Sequence, residues 1–111
     1  MQKSVLGDVI KFILPDELEL TNAQQIKKTI YEEAFEKGFK KVILDLSKTK
    51  YIDSTGLGVM VAIHKQALMN AGAVVFLNLD SNIKGLLKMT ALDRILNIYD
   101  NEKEAIEFLN K

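Results

Sequence analysis

The chain has 111 residues, 15 Lys and Arg against 15 Asp and Glu, and 48% hydrophobic side chains, which suits one folded domain over residues 1–111 and excludes a disordered chain. Balanced charge, with Arg94 the sole arginine, argues against a nucleic-acid partner. The lack of cysteine removes disulfides, thiolate zinc sites and cysteine nucleophiles, and no apolar run approaches the ~18 residues of a membrane span.

Gln2 to Leu6 and the β-branched, aromatic run Val9-Ile10-Lys11-Phe12-Ile13-Leu14 flank the turn pair Gly7-Asp8, which predicts a hairpin stopped by Pro15. Thr21 and Gln24 form a capping-box pattern ahead of Ala23, Ile26, Ile30, Ala34 and Phe35, whose spacing predicts an amphipathic helix up to Gly38. Val42-Ile43-Leu44-Asp45-Leu46 is nearly unbroken and apolar, as a strand covered on both faces requires. Leu57 to Ala71 reads as a helix stopped at Gly72, and Ala73 to Leu79 as a second buried strand. Ser81 is the expected cap of a short helix over Ile83, Leu86, Leu87 and Met89, with Asp80 in the preceding turn; Ile95 to Tyr99 is a last strand. Asn101 and Glu104 announce a final helix through Ala105, Ile106, Phe108 and Leu109.

This order predicts an α/β fold: a mixed sheet of four to five strands, parallel crossovers, about four helices, and helices on at least one face. In such sheets the loops beyond the strand C-terminal ends feed helix N-termini and present free amides, so the segment before Thr55 is the place to look for function.

That segment is Asp53-Ser54-Thr55-Gly56-Leu57-Gly58, three oxygen-bearing side chains and two glycines opening an apolar helix. One reading is a helix cap, in which Asp, Ser and Thr accept from the first free amides. A phosphate loop would need a lysine followed by Ser or Thr after the glycine, and none follows Gly56 or Gly58. A hydrolase elbow would need glycine two places before the serine, where Ile52 stands, and His64 lies about 15 Å along the same helix at 1.5 Å per residue, out of reach of Ser54. His64 alone makes a poor metal site and is assigned to the helix face; no metal or cofactor is expected. Asp45, in its apolar strand, is assigned a structural role, and the acidic group Asp16, Glu17 and Glu19 suits the dipole of the first helix or an acidic contact patch.

Val42-Ile43-Leu44-Asp45-Leu46-Ser47, a short spacer, then Tyr51-Ile52-Asp53-Ser54-Thr55-Gly56-Leu57-Gly58 resembles the signature of STAS domains, in particular the stand-alone bacterial anti-sigma-factor antagonists, with element order agreeing over essentially the whole chain. The chain departs from the pattern at Leu14-Pro15-Asp16-Glu17-Leu18-Glu19-Leu20, where the family often has Gly-Glu-Leu-Asp. The resemblance implies that Ser54 is a phosphoacceptor, with Thr55 the neighbouring hydroxyl. It also implies that the kinase is the cognate anti-sigma factor, dependent on ATP and magnesium, and that a separate phosphoserine phosphatase reverses the modification. The unmodified protein would bind the anti-sigma factor and free the sigma factor; the phosphorylated one would let go. The partner-facing surface would combine Asp53, Thr55, Gly56, Leu57 and Gly58 with Glu19, Thr21 and Asn22.

The leading expectation is thus a regulatory binding module, not an enzyme, cytoplasmic since Met1-Gln2-Lys3-Ser4 opens no secretory leader, and monomeric or weakly self-associating since zero net charge gives little repulsion between copies. An alternative is an accessory or scaffold subunit of a transporter or signalling assembly in which Ser54 only caps a helix. A nucleotide-binding or hydrolytic enzyme using Asp53 ranks third, for want of a lysine following Gly56 or Gly58, a cysteine or a usable histidine.

Overall fold

The computed structural model describes residues 1–111. β1 (Gln2–Leu6) and β2 (Val9–Ile13) form the hairpin and run antiparallel; β4 (Lys41–Asp45), β6 (Ala73–Leu77) and β7 (Asn97–Tyr99) join β2 in parallel, giving the order β1-β2-β4-β6-β7. Parallel neighbours need crossovers, which α1 (Ala23–Ile30), α2 (Ser54–Met69) and α3 (Ser81–Met89) supply; α4 (Glu102–Leu109) closes the chain.

The alternation of side chains along the central strands divides the core. Ile10, Phe12, Val42, Leu44, Val74 and Phe76 pack on the side of Ile26 and Ile30 from α1, Met60 and Ile63 from α2, and Leu87 from α3. Val9, Ile43, Val75 and Leu77 face the other way, onto Ala105 and Leu109 of α4. Because both faces of β4 and β6 are covered, their sequences lack an alternating polar register, as the unbroken runs anticipated.

Several local expectations are corrected. No side chain caps α1: the Thr21 hydroxyl donates to the Glu19 carboxylate, and Asn22 at the cap position turns back, accepting from Glu19 N at 2.9 Å and donating to Glu17 O at 2.8 Å. Loop closure has taken the groups that a capping box would use. The first helix is α only to Ile30 and continues as one π-helical turn over Tyr31–Phe35, sealed by Glu36 N donating to Tyr31 O at 2.8 Å. Asp80, not Ser81, caps α3, its carboxylate accepting from Ile83 N at 2.9 Å. The last strand is shorter than expected because Leu92–Arg94 winds into a 3₁₀ turn. Ala71 takes the left-handed turn after α2 at φ 60°, and Gly72 is needed for space: a Cβ there would lie 2.2 Å from Lys40 O. The Asn101 carboxamide does cap α4, accepting from Glu104 N at 3.1 Å. Asp45 is buried, with one oxygen accepting from Ser47 N at 2.8 Å and the other 3.6 Å from the Lys11 ammonium.

His64 lies on the inner face of α2, 6% exposed, its Nδ1 buried without a partner, and burial lowers its pKa from the ordinary 6.5. The unfolded chain therefore takes up a proton that the folded chain refuses as pH falls through about 6.5, so the contribution is complete above that pH and is lost below it. Urea unfolding should show stability declining as pH falls below about 6.5, by at most about 1.4 kcal/mol per pH unit, and His64→Leu should flatten that slope.

Candidate functional site

The site is built where β2 and β4 end. Leu14 N donates to Asp45 O at 2.9 Å, keeping the two segments together as they leave the sheet, and each then adds a short strand: β3 (Glu17–Leu18) and β5 (Tyr51–Ile52) pair in parallel as a separate ribbon. Thr49, fully buried, fastens the ribbon from beneath, its hydroxyl donating to Pro15 O at 2.7 Å, while Lys50 N donates to Asp16 O at 2.8 Å. The ribbon delivers Asp53 to the start of α2.

Asp53 is extended, at φ −98° and ψ −172°, and its carboxylate has two jobs. Oδ1 accepts from Gly56 N at 2.9 Å and caps α2; Oδ2 accepts from Leu20 N at 3.0 Å and draws in the loop after β3. One side chain thereby joins the two halves of the expected surface, the Asp53–Gly58 turn and the Glu19, Thr21, Asn22 loop. The helix begins at Ser54, three residues earlier than its apolar pattern indicated, because Asp53 provides the cap.

Ser54 is the first helical residue and exposed, and Thr55 beside it is half-buried. With Gly56 N taken by Asp53 and Leu57 N by Asp53 O, the Ser54 and Thr55 amides have no acceptor within the chain. They sit at the positive end of a 16-residue helix. Gly56 is buried, and a Cβ there would meet Leu18 O at 2.2 Å and Ile52 Cγ2 at 2.8 Å, so only glycine lets α2 lie against the ribbon. Leu57 packs on the core, whereas Gly58 is exposed with open space around it.

Two exposed apolar residues that the sequence did not single out lie on the segments that build the site. Leu20, 72% exposed, is held by the Asp53 latch, and Tyr51, 55% exposed, lies in the ribbon two residues before Asp53. Large apolar side chains left in water beside a polar helix start are what a protein-binding surface offers. Their visible sign was an apolar residue in a stretch that otherwise reads as loop. No group of histidine and carboxylate side chains is arranged to hold a metal ion, and no helix is long and apolar enough to cross a membrane.

Residues 1–105 match the STAS domain family. A candidate anti-sigma factor antagonist of Thermotoga maritima is 36% identical over 103 residues, 93% of this chain and 91% of that one. The crystal structure of such a protein from the same organism superposes with a TM-score of 0.92 at 33% identity, covering 99% of this chain and 94% of that one. The Bacillus anti-sigma factor antagonist SpoIIAA, solved unphosphorylated and phosphorylated, has the same fold at 20% identity, with TM-scores of 0.74 and 0.72. In those two comparisons 98% and 96% of this chain, and 96% of SpoIIAA in each, are aligned.

Proposed function

The chain belongs to the STAS domain family, and on that premise we propose that residues 1–111 are one STAS domain acting as an anti-sigma factor antagonist switched at Ser54. Unmodified, it binds an anti-sigma factor and so releases the sigma factor; phosphorylated on Ser54, it does not bind. The kinase is the anti-sigma factor itself, using ATP and magnesium, and a phosphoserine phosphatase resets the switch. The protein regulates transcription in the cytoplasm as a substrate and binding partner, not as an enzyme.

One observation carries this reading. Ser54 stands exposed at the first position of α2, directly after Asp53, whose carboxylate holds the amide of the exposed Leu20. A kinase can reach the hydroxyl from solvent, and a partner that covers the Asp53-held Leu20 loop and the start of α2 covers Ser54 with them. The free Ser54 and Thr55 amides accommodate a phosphate in the unbound protein, so modification need not disturb the fold.

Incubation of the purified protein with the anti-sigma factors of its own genome and magnesium ATP should add one phosphate, read by intact mass and located on Ser54 by peptide fragmentation. Ser54→Ala should abolish the increment. Modification confined to Thr55, or none by any of them, would overturn the assignment and leave Ser54 as a helix residue of a scaffold.

A further inference from the structure

The hairpin turn fixes which edge of the sheet is open. Gly7 has φ +65° while Asp8 stays outside the left-handed region, the arrangement of a two-residue II′ turn closing on the pair Leu6–Val9. In an antiparallel ladder hydrogen-bonded and non-bonded pairs alternate, so Leu6–Val9, Ser4–Lys11 and Gln2–Ile13 exchange bonds. Lys3 and Val5 then turn their N–H and C=O groups away from β2, and no bond outside the ladders involves them.

All five residues of β1 are exposed. The devices that protect an edge are missing: β1 has no proline, its pairing with β2 runs through all five residues without a bulge, and its one charged side chain is engaged elsewhere. The Lys3 ammonium is 2.8 Å from the Glu33 carboxylate, which it holds below the usual carboxylate range. The opposite edge, β7, is three half-buried residues. Val5 is 56% exposed on the same sheet face as Ile10 and Phe12, extending that apolar face to the rim.

We infer that this edge is a homotypic interface: two copies of the chain pair β1 with β1 antiparallel about a two-fold axis at Ser4, joining their sheets into one. The register is self-complementary. Lys3 lies opposite the partner's Val5, and Val5 opposite the partner's Lys3, so the outward groups of both residues are satisfied by four backbone hydrogen bonds. Lys3 and Val5 share a face, so the aliphatic stem of each lysine covers the valine across the axis, while Ser4 meets its symmetry mate without crowding. The net charge of zero sets no repulsion between copies. With so few residues per copy the contact is small, and the expected dissociation constant is of order 0.1 mM.

Sedimentation equilibrium from about 20 µM to 1 mM should show a monomer–dimer equilibrium in this range, with amide exchange at Lys3 and Val5 slowing as concentration rises. Val5→Pro removes an outward N–H that β2 does not use, and Val5→Lys keeps every amide but opposes lysine to lysine across the axis. Each should weaken dimerisation at least tenfold. If Val5→Pro disturbs the hairpin, Val5→Lys, with its circular dichroism unchanged, decides the matter. A monomer at 1 mM, a dimer indifferent to Val5→Lys, or concentration-dependent shifts centred on Ser54 instead of β1 would overturn the inference.

Discussion

Ser54→Asp is expected to weaken binding to the anti-sigma factor at least 100-fold, and phosphorylation of Ser54 by more, while Ser54→Ala binds like the parent chain; isothermal titration of each form against the partner reads the difference directly. In the free protein an added charge at Ser54 is tolerated. The residue is exposed, the helix N-terminus favours an anion by about 0.3–1 kcal/mol, and Asp53 is already occupied by the Gly56 and Leu20 amides. What changes on binding is the solvent: closing a partner over Ser54 and the Asp53-held Leu20 loop removes the water that screened the new charge from Asp53. In the complex the same loss of water raises the helix contribution to at most about 2 kcal/mol, and the cost of burying a charge without a cationic partner stands against it. Two like charges about 4 Å apart repel by about 4 kcal/mol at an effective dielectric of 20, against about 1 kcal/mol in water. A 100-fold loss needs about 2.7 kcal/mol, so the increment on desolvation is sufficient without any conformational change. Thermal unfolding of Ser54→Asp should lie close to that of the parent, which separates a blocked surface from a damaged fold. Equal affinities for Ser54→Ala and Ser54→Asp would instead favour the scaffold reading.

The elements were legible where sequence pattern and tertiary role coincide. Val42 to Asp45 and Val74 to Leu77 are covered on both faces, so composition alone reveals them, and Asn101 caps α4 through a contact only three residues away. The errors fall where another group, near or distant, competes for a local one. Thr21 and Asn22 are good capping residues, yet closing the loop from Glu17 to Asn22 takes their hydrogen bonds, so two local arrangements compete and the capping pattern alone does not rank them. The β3–β5 ribbon is two residues on each side and depends on Thr49 meeting Pro15, contacts 34 residues apart in the chain. The Asp53–Gly58 motif announced where chemistry would gather. That Asp53 reaches across to Leu20, and so brings the second loop to the same surface, follows only from the ribbon.

The two glycines of that motif should respond oppositely to alanine, although the sequence presents them alike. At Gly56 the new Cβ would lie 2.2 Å from Leu18 O and 2.8 Å from Ile52 Cγ2. Neither neighbour can withdraw freely: Leu18 is paired with Ile52 in the ribbon, and the Leu20 amide two residues on is held by Asp53. The helix start must therefore lift from the ribbon, breaking the Asp53 latch or burying a bad contact. Overpacking of this kind costs typically 1–3 kcal/mol and here, against backbone on one side, about 3 kcal/mol, or roughly 10 °C in midpoint temperature. At Gly58 a Cβ meets nothing within 4 Å, in the interior of α2, so alanine should stabilise by about 0.5–1 kcal/mol through lost backbone freedom in the unfolded chain. Urea unfolding of both variants tests the pair, and similar effects at the two positions would show that the close approach at Gly56 relaxes at little cost. Binding adds a discriminating readout. Nothing in the fold requires Gly58 to lack a side chain, and it lies exposed one turn from Ser54 on the surface assigned to the partner. Gly58→Ala should then make the chain more stable while weakening anti-sigma factor binding, the combination expected when a glycine admits close approach of a partner and has no role in folding.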